Sequence, residues 1–592
     1  MKSQHLQPTP IKSKVILFCL FLISSVSAFL TPLIHFKEAC ITRDWGLFNS
    51  FSLFSHSSWR FYHKIPIHNP YVLGGMDNLA NPQTKVFSPL AIFDVFLNAP
   101  YANLASLISL GIIGSYGMYH LLKYLNIRNS VAIICAIIFI HGSWFHLHYS
   151  EGHIIFGGFM LFGFVILSIL RMEENKYKLI FALICAFFFL DGGIYAFVYT
   201  VLLFFTMHLF QVNGISFRKL ILSIRKNLLF SLLSVFVFIG LASFKLIPFL
   251  ILHGGRIPVL ENNTLNVYSV FNAFFNPNAH VSLVVPGANF RDFVNFHEIG
   301  AYIGFIAFAI ILYYLLKFRS KKNRAFVLLM LLFFWIGSGW LDPVNPWRLF
   351  QQLPVINNAH VQSRAFIIVY CVLIIFLAFG LEKLAEQRKT LFKIATGFLI
   401  LEGLFISNWA YLSVYQYEHN TAKIAEMNQM ITYSKIDTTF SFPDGRGWGF
   451  DFEHFNRWNA CTKAFMDPST VPITVKAHDE PGYRGEIYLL NGEGKATVDY
   501  FIPGELKINY QLQKDSEVQL NTNYILGWKT SNASITTKGT NNLLTLSIPK
   551  GNGTVRVYYA PKYWIPCVIL SITALVLTCL MFWNLKRNTQ SE

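Results

Sequence analysis

The stretch "VQSRAFIIVYCVLIIFLAFGLEKL", Val361–Leu384, carries an uncharged run from Ala365 to Leu381 that opens on Arg364 and closes on Glu382 and Lys383. Coiled as a helix at about 1.5 Å per residue, such a run comes close to crossing the hydrocarbon core of a bilayer, roughly 30 Å thick. A water-soluble domain has little use for so uniform a surface. Working outward, similar runs recur near 15–36, 101–122, 130–147, 154–170, 179–191, 194–211, 228–252, 300–316, 325–340, 390–408 and 563–583. The composition agrees. Of 592 residues 54% are hydrophobic and only 13% charged, about half the charged share of an ordinary soluble domain. The expectation is a mainly α, polytopic helical membrane protein of about 11–13 transmembrane helices. The first run lacks a small-x-small cleavage site and is read as a span, not a cleaved signal. The segment 86–98 is short, carries Asp94 and is read as interfacial.

The net charge of +17 does not indicate nucleic acid. Lys and Arg sit in short clusters between the runs: Lys12 and Lys14, Lys123 and Arg128, Arg171 to Lys178, Arg218 to Lys226, Lys317 to Arg324, Lys383 to Lys389, and Lys586 with Arg587. Counted along the chain, these fall on one side, which the positive-inside rule makes cytoplasmic. Both termini are then cytoplasmic, in a multi-pass protein of the cytoplasmic (inner) membrane. The Lys-, Asn-, Ile- and Phe-rich composition suits a bacterium. Asp44, Asp77, Glu151, Asp191, Glu261, Asp292, Glu298 and Asp342 fall on the outer side, together with the long loops 37–100, 253–299 and 341–363. The working surface is expected there.

Three units follow. Residues 1–408 form the transmembrane domain, 409–561 an extracytoplasmic domain, and 562–592 a final helix and cytoplasmic tail. From about 468 apolar residues alternate with polar ones, as in Ile508, Tyr510 and Leu512 or Val555, Val557 and Tyr559. Turn signals such as Asn491–Gly492 separate them, and the pattern predicts a β-sandwich. The eight cysteines show no CxxC and no metal spacing. Only Cys40 and Cys461 fall outside the membrane, and a bond between them is not expected. There is no Walker loop, GxSxG or dinucleotide fingerprint.

Two stretches carry a resemblance. "IPIHNPYVLGGMDNLANPQTKVFSPL" (Ile65–Leu90) resembles the first outer loop of the bacterial YfhO-like membrane proteins, although His68 stands where Trp is usual and Asp77 where Pro is expected. "VQLNTNYILGWKT" (Val518–Thr530), "LSIPKGNGTVRVYYAP" (Leu546–Pro561) and the span that follows resemble that family's closing β-domain and tail anchor, and the Arg-led run at Val361–Leu384 resembles its late helix. The resemblance is weak across 210–340. It implies a fold like that of the glycosyltransferase C superfamily, whose members take a sugar from a polyprenyl-phosphate carrier at the outer face. The expected partners are that donor, a cell-envelope glycan, lipid or protein acceptor, and the bilayer.

Asp44, in "RDWGLF" shortly after the first span, matches the superfamily's catalytic aspartate. A carboxylate at the membrane rim can take the acceptor's hydroxyl proton. Glu151 is the second catalytic candidate, with His153 beside it in "HGSWFHLHYSEGHIIFGG" (His141–Gly158), read as a short outer loop. His146, His148 and His153 with Glu151 are residue types that suit a divalent cation. Their spacing is no zinc signature, so no metal ligands are assigned and no cofactor is certain, with a divalent cation kept open as the alternative. Asp191, between two apolar runs, is read as substrate-binding, against the plainer role of a helix cap. Arg364 offers a fork for the donor phosphate, against simple snorkelling to the interface. Asn69 and Asp77 complete the expected substrate-binding set. The alternatives are a transporter or flippase of a lipid-linked glycan or lipid, and a non-catalytic protein that keeps the fold.

Overall fold

The run that opens Val361–Leu384 is helical in the computed structural model, as one 3-10 turn, Gln362–Ala365, continued by the helix Phe366–Gln387. Residues 11–35, 44–70, 74–253, 264–277, 296–318, 321–352, 361–415, 435–437, 460–462, 475–476, 481–535 and 542–590 are described. The protein is mainly helical with a β-sheet region near its C-terminus. The helix Phe366–Gln387 is its centre: 94% of its apolar window is buried against other parts of the chain. Uniform apolarity therefore serves packing here as much as lipid.

Among the described residues six helices are long and apolar enough to cross a membrane: Ala99–Tyr124, Asn129–Ser150, Leu228–Ile251, Gln362–Gln387, Lys389–Leu412 and Trp564–Arg587. The twelve expected runs are thus not twelve full-length helices. Ser13–Ala28, Ile154–Leu170, Phe305–Lys317 and Asn323–Ser338 are apolar but shorter. The run at 194–211 leads into a second helix across a bend of 82°. A window of hydropathy counts apolar residues; it does not see the Gly and Asn breaks that shorten the helix.

The last helix, Trp564–Gln590, lies along Leu228–His253 through small residues. A Cβ on Gly240 would stand 2.6 Å from that of Ala574. Ser243 Oγ lies 3.1 Å from Ser571 Oγ. Close backbone approach of this kind is how helices associate where lipid removes the hydrophobic drive.

The alternating segment forms the predicted sandwich. One antiparallel sheet runs Ser534–Ile535, Leu543–Ile548, Ser516–Asn523, Ile487–Leu489; the other runs Gly494–Ile502, Glu505–Leu512, Gly551–Tyr559, Trp528–Thr530. Ile508 and Val555 face each other in register and are fully buried with Val518, Leu546 and Val557 in one shared core.

The segment 37–100, read from the sequence as one long loop, carries regular structure in its described part. It contains the helix Asp44–Arg60 and a short antiparallel pair, His68–Asn69 with Met76–Asp77. Its Ser-rich helix escaped the apolar periodicity because it buries polar groups, Asn49, Ser52 and His56 among them. The loop docks on the sandwich. Asn523 N donates to Gly74 O (2.7 Å), and Tyr559 Oη donates to Asp77 Oδ2 (2.6 Å). The buried His68 ring meets Trp528 at 4.6 Å, and burial lowers its pKa to about 3.

Lys64, also in this loop, pairs with Glu505 of the sandwich at 2.5 Å. Hydrogen bonds, first from Arg556 and then from Lys64 and Tyr500, outweigh burial and hold the Glu505 carboxyl down to about 2. A depressed carboxylate stabilises the fold above its ordinary value near 4.5, and that stabilisation disappears as pH falls through about 2. Resistance of the sandwich to acid protease should therefore decline across this window, and Glu505→Gln should flatten the decline. An unchanged pH profile in that variant would show that Glu505 does not tie the loop to the sandwich.

Candidate functional site

The site begins where two chain segments almost touch. Asp44 opens the helix Asp44–Arg60, where a carboxylate also complements the helix dipole. Its N–H donates to Glu151 O (3.2 Å), and the Trp45 indole N–H donates to Tyr149 O (2.8 Å). Gly152 permits this approach. It sits at φ +92°, and a Cβ there would lie 2.1 Å from Trp45 N and 2.7 Å from Asp44 C. The result is an Asp44 Oδ2–His153 Nε2 contact of 2.9 Å, with the Asp44 side chain about 33% exposed. Gly152→Ala should push the two segments apart and cost about 1–3 kcal/mol for the backbone alone. A lowered thermal midpoint is the expected result; an unchanged midpoint would mean the contact is dispensable.

Behind this pair lies a polar chain supplied by two further segments. His148 Nδ1 is 3.1 Å from His153 Nδ1 and 3.9 Å from Glu298 Oε2. Glu298 sits in the short helix Phe296–Ile299 and accepts from Arg364 Nε (2.8 Å) and Nη2 (2.5 Å). His297 is 3.8 Å from both Glu151 Oε1 and Glu298 Oε1. Burial alone would raise the Glu298 carboxyl, but Arg364, through charge and hydrogen bonds, and the two imidazoles hold it well below the usual range. His148, His153 and Glu298 each present one ligand atom within 4.8 Å of the others, a spacing that could hold a metal ion.

These segments are fixed by a break in one helix. The helix Asn129–His141 stops at Gly142, and Ser143–Ser150 continues from it. Tyr370 of the central helix fills the gap, its hydroxyl within 3.1 Å of Ile138 O and 2.7 Å of Phe139 O, two carbonyls near that end. Ser143 N donates to Tyr302 O (3.3 Å), which ties the His148 helix to the segment carrying Glu298.

A cleft is lined by residues that neighbour Asp44 and His153 in the chain. Its walls include Phe48, one turn along from Asp44, and Ile154 and Ile155, directly after His153; its polar end holds Lys85, Asn103, Ser106 and Asp191. Lys85 Nζ donates to Asn103 Oδ1 (2.9 Å) and stands 3.3 Å from Asp94 Oδ1. Asp191 Oδ1 accepts from Ser88 Oγ at 2.5 Å.

The structure thus brings Asp44, Glu151 and His153 together and places Asp191 in the lining of the cleft. Arg364 joins them only through Glu298, its Nε and Nη2 already engaged, so it is not an open phosphate fork. Asp77 belongs to the loop's contact with the sandwich, and Asn69 is buried beside it in the short pair with Met76–Asp77. The stretch His141–Gly158 is helical apart from Gly142 and the turn Glu151–His153: His141, His146 and His148 are buried in helix, where Trp144, Phe145, Leu147 and Tyr149 wrap the segment in apolar contacts. His146 turns away from His148, with Nε2 on Ile140 O at 2.8 Å. Glu261, Asp292 and Cys40 lie outside the described residues, as does the side chain of Cys461. Sequence reading placed Glu298 only among the outer acids. Its neighbour His297, in "NFHEIG" at the foot of a span, was the available signal.

A comparison of the chain with models of known protein families found no match, and neither did a comparison with curated protein sequences.

Proposed function

We propose that the protein is a membrane glycosyltransferase, moving a sugar from a polyprenyl-phosphate donor to a cell-envelope acceptor at the outer face of the inner membrane. The observation that supports this most is the Asp44–His153 pair, partly exposed and clamped by Gly152, with the neighbouring residues Phe48, Ile154 and Ile155 lining a cleft that also holds Lys85 and Asp191. In this reading Asp44 takes the acceptor hydroxyl's proton as its oxygen bonds to the anomeric carbon. The bond from that carbon to the phosphate oxygen breaks, and polyprenyl phosphate leaves with the electron pair. His153 holds the carboxylate in place, and Lys85 is the cation closest in kind to what the leaving phosphate needs.

The test is to give membranes containing the protein a polyprenyl-phosphate hexose labelled in the sugar. Label should pass to a non-prenyl product with release of polyprenyl phosphate. A flippase would move the intact donor across the membrane with its sugar–phosphate bond unbroken, and that result would replace the reading. The orientation is checked with Asn532→Cys. An impermeant maleimide should label it in intact spheroplasts; labelling only after permeabilisation would put the sandwich, and the transfer, on the wrong side.

A further inference from the structure

We infer that His148, His153 and Glu298 form a site for a divalent cation of the zinc class, with Asp44 as the carboxylate that orients His153. Three observations carry this. The first is spacing. Two ligands each about 2.0–2.1 Å from one ion stand roughly 3–3.4 Å apart at ordinary coordination angles. The two Nδ1 atoms are 3.1 Å apart, inside that range, and Glu298 Oε2 stands 3.9 Å from one of them, about half an ångström beyond it.

The second is protons. The contact of Asp44 Oδ2 with His153 Nε2 at 2.9 Å keeps a proton on that nitrogen, as carboxylates behind metal-bound histidines do. The Nδ1 lone pair of His153 then faces His148. Neutral His148 has one proton for two nitrogens, and its Nε2 is buried with no hydrogen-bond partner. The His148 ring lies 4.3 Å from Trp144 and 4.8 Å, edge to face, from Phe156. An N–H is better placed among electron-rich ring faces than a lone pair is. With the proton on Nε2, two imidazole lone pairs point at each other across 3.1 Å, an arrangement that a cation between them turns from repulsive to attractive.

The third is the ligand set. Two nitrogens and one oxygen favour zinc and its neighbours over magnesium or calcium. Three protein ligands leave a coordination position open, as in sites where the ion meets a substrate and not in closed structural ones.

Metal binding is measured with no sugar present, so it stands or falls apart from the transferase reading. The full-length protein, stripped with a chelator in detergent, is titrated with Zn2+ by calorimetry and with Co2+ by visible absorption. A single ion per chain, a raised thermal midpoint and Co2+ d–d bands are expected. His153→Gln and His148→Gln should weaken binding at least about 100-fold and abolish the bands. Asp44→Asn should weaken it by about 10- to 100-fold. His153 lies at the rim with its side chain 13% exposed, so its variant still reports if the His148 variant does not fold. Failure of the wild-type protein to bind Zn2+, or wild-type affinity in His153→Gln, would overturn the inference.

Discussion

Asp44→Asn is expected to lower sugar transfer by about a hundred- to ten-thousandfold, the usual worth of a positioned general base. Asparagine keeps the oxygen that meets His153 Nε2 and nearly the same volume, so the contact at 2.9 Å survives in shape. It cannot accept the acceptor's proton. The cost to the fold should be small, up to about 1 kcal/mol, because the side chain is partly exposed and only the helix-dipole contribution is lost. Product formation and protein yield are measured on the same membranes, with Zn2+ in excess so that weakened metal binding does not stand in for a lost base. Wild-type transfer by the variant would return Asp44 to the role of a helix-starting residue.

The second large effect is expected at Arg364. Its guanidinium is buried, makes two hydrogen bonds to Glu298 and lies over the rings of Tyr195 (4.6 Å) and Phe156 (4.8 Å). Removing one partner of a buried pair strands the other, at a cost of about 3–5 kcal/mol. Arg364→Met should therefore lower the thermal midpoint and yield steeply. Combining it with Glu298→Gln should recover much of the loss, since no buried charge is then left alone. Arg364→Lys keeps the charge but offers a point where the carboxylate needs a fork, and should fall between. If the single Met variant unfolded at the wild-type temperature, the pair would not be holding the site. If the double variant were as unstable as the single one, stacking on Tyr195 and Phe156, rather than the ion pair, would be the main contribution.

The legible part of the site was its local part. Asp44 stood out as an acid beside the first apolar run, and Glu151 with His153 as polar residues crowded between two others. Their meeting depends on Gly152, whose significance lies in a Cβ that would collide with the backbone of Trp45, a residue more than a hundred positions away. No local pattern reports such a collision. Arg364 was recognised as an unusual charge at the head of an apolar run, but its carboxylate partner comes from another loop. The histidines of His141–Gly158 were misread for a related reason. Polar residues bounded by glycines look like a loop, whereas Trp144, Phe145 and Tyr149 supply the contacts that keep His146 and His148 inside.

By itself the sequence determined the chemistry of each surface: apolar runs that must leave water, basic clusters between them, and the strict alternation from which Ile508 and Val555 build a sandwich core. These follow from hydropathy and from repeat distances of a few residues, which the chain carries locally. Only the tertiary structure decided which runs become full-length helices, that Phe366–Gln387 is enclosed by its neighbours, that the first loop docks on the sandwich through Asp77, and that His148, His153 and Glu298 converge behind Asp44. Those outcomes depend on volume and on pairing between residues far apart in the chain. Packing and charge compensation act through space, and the order of residues along the chain does not record them.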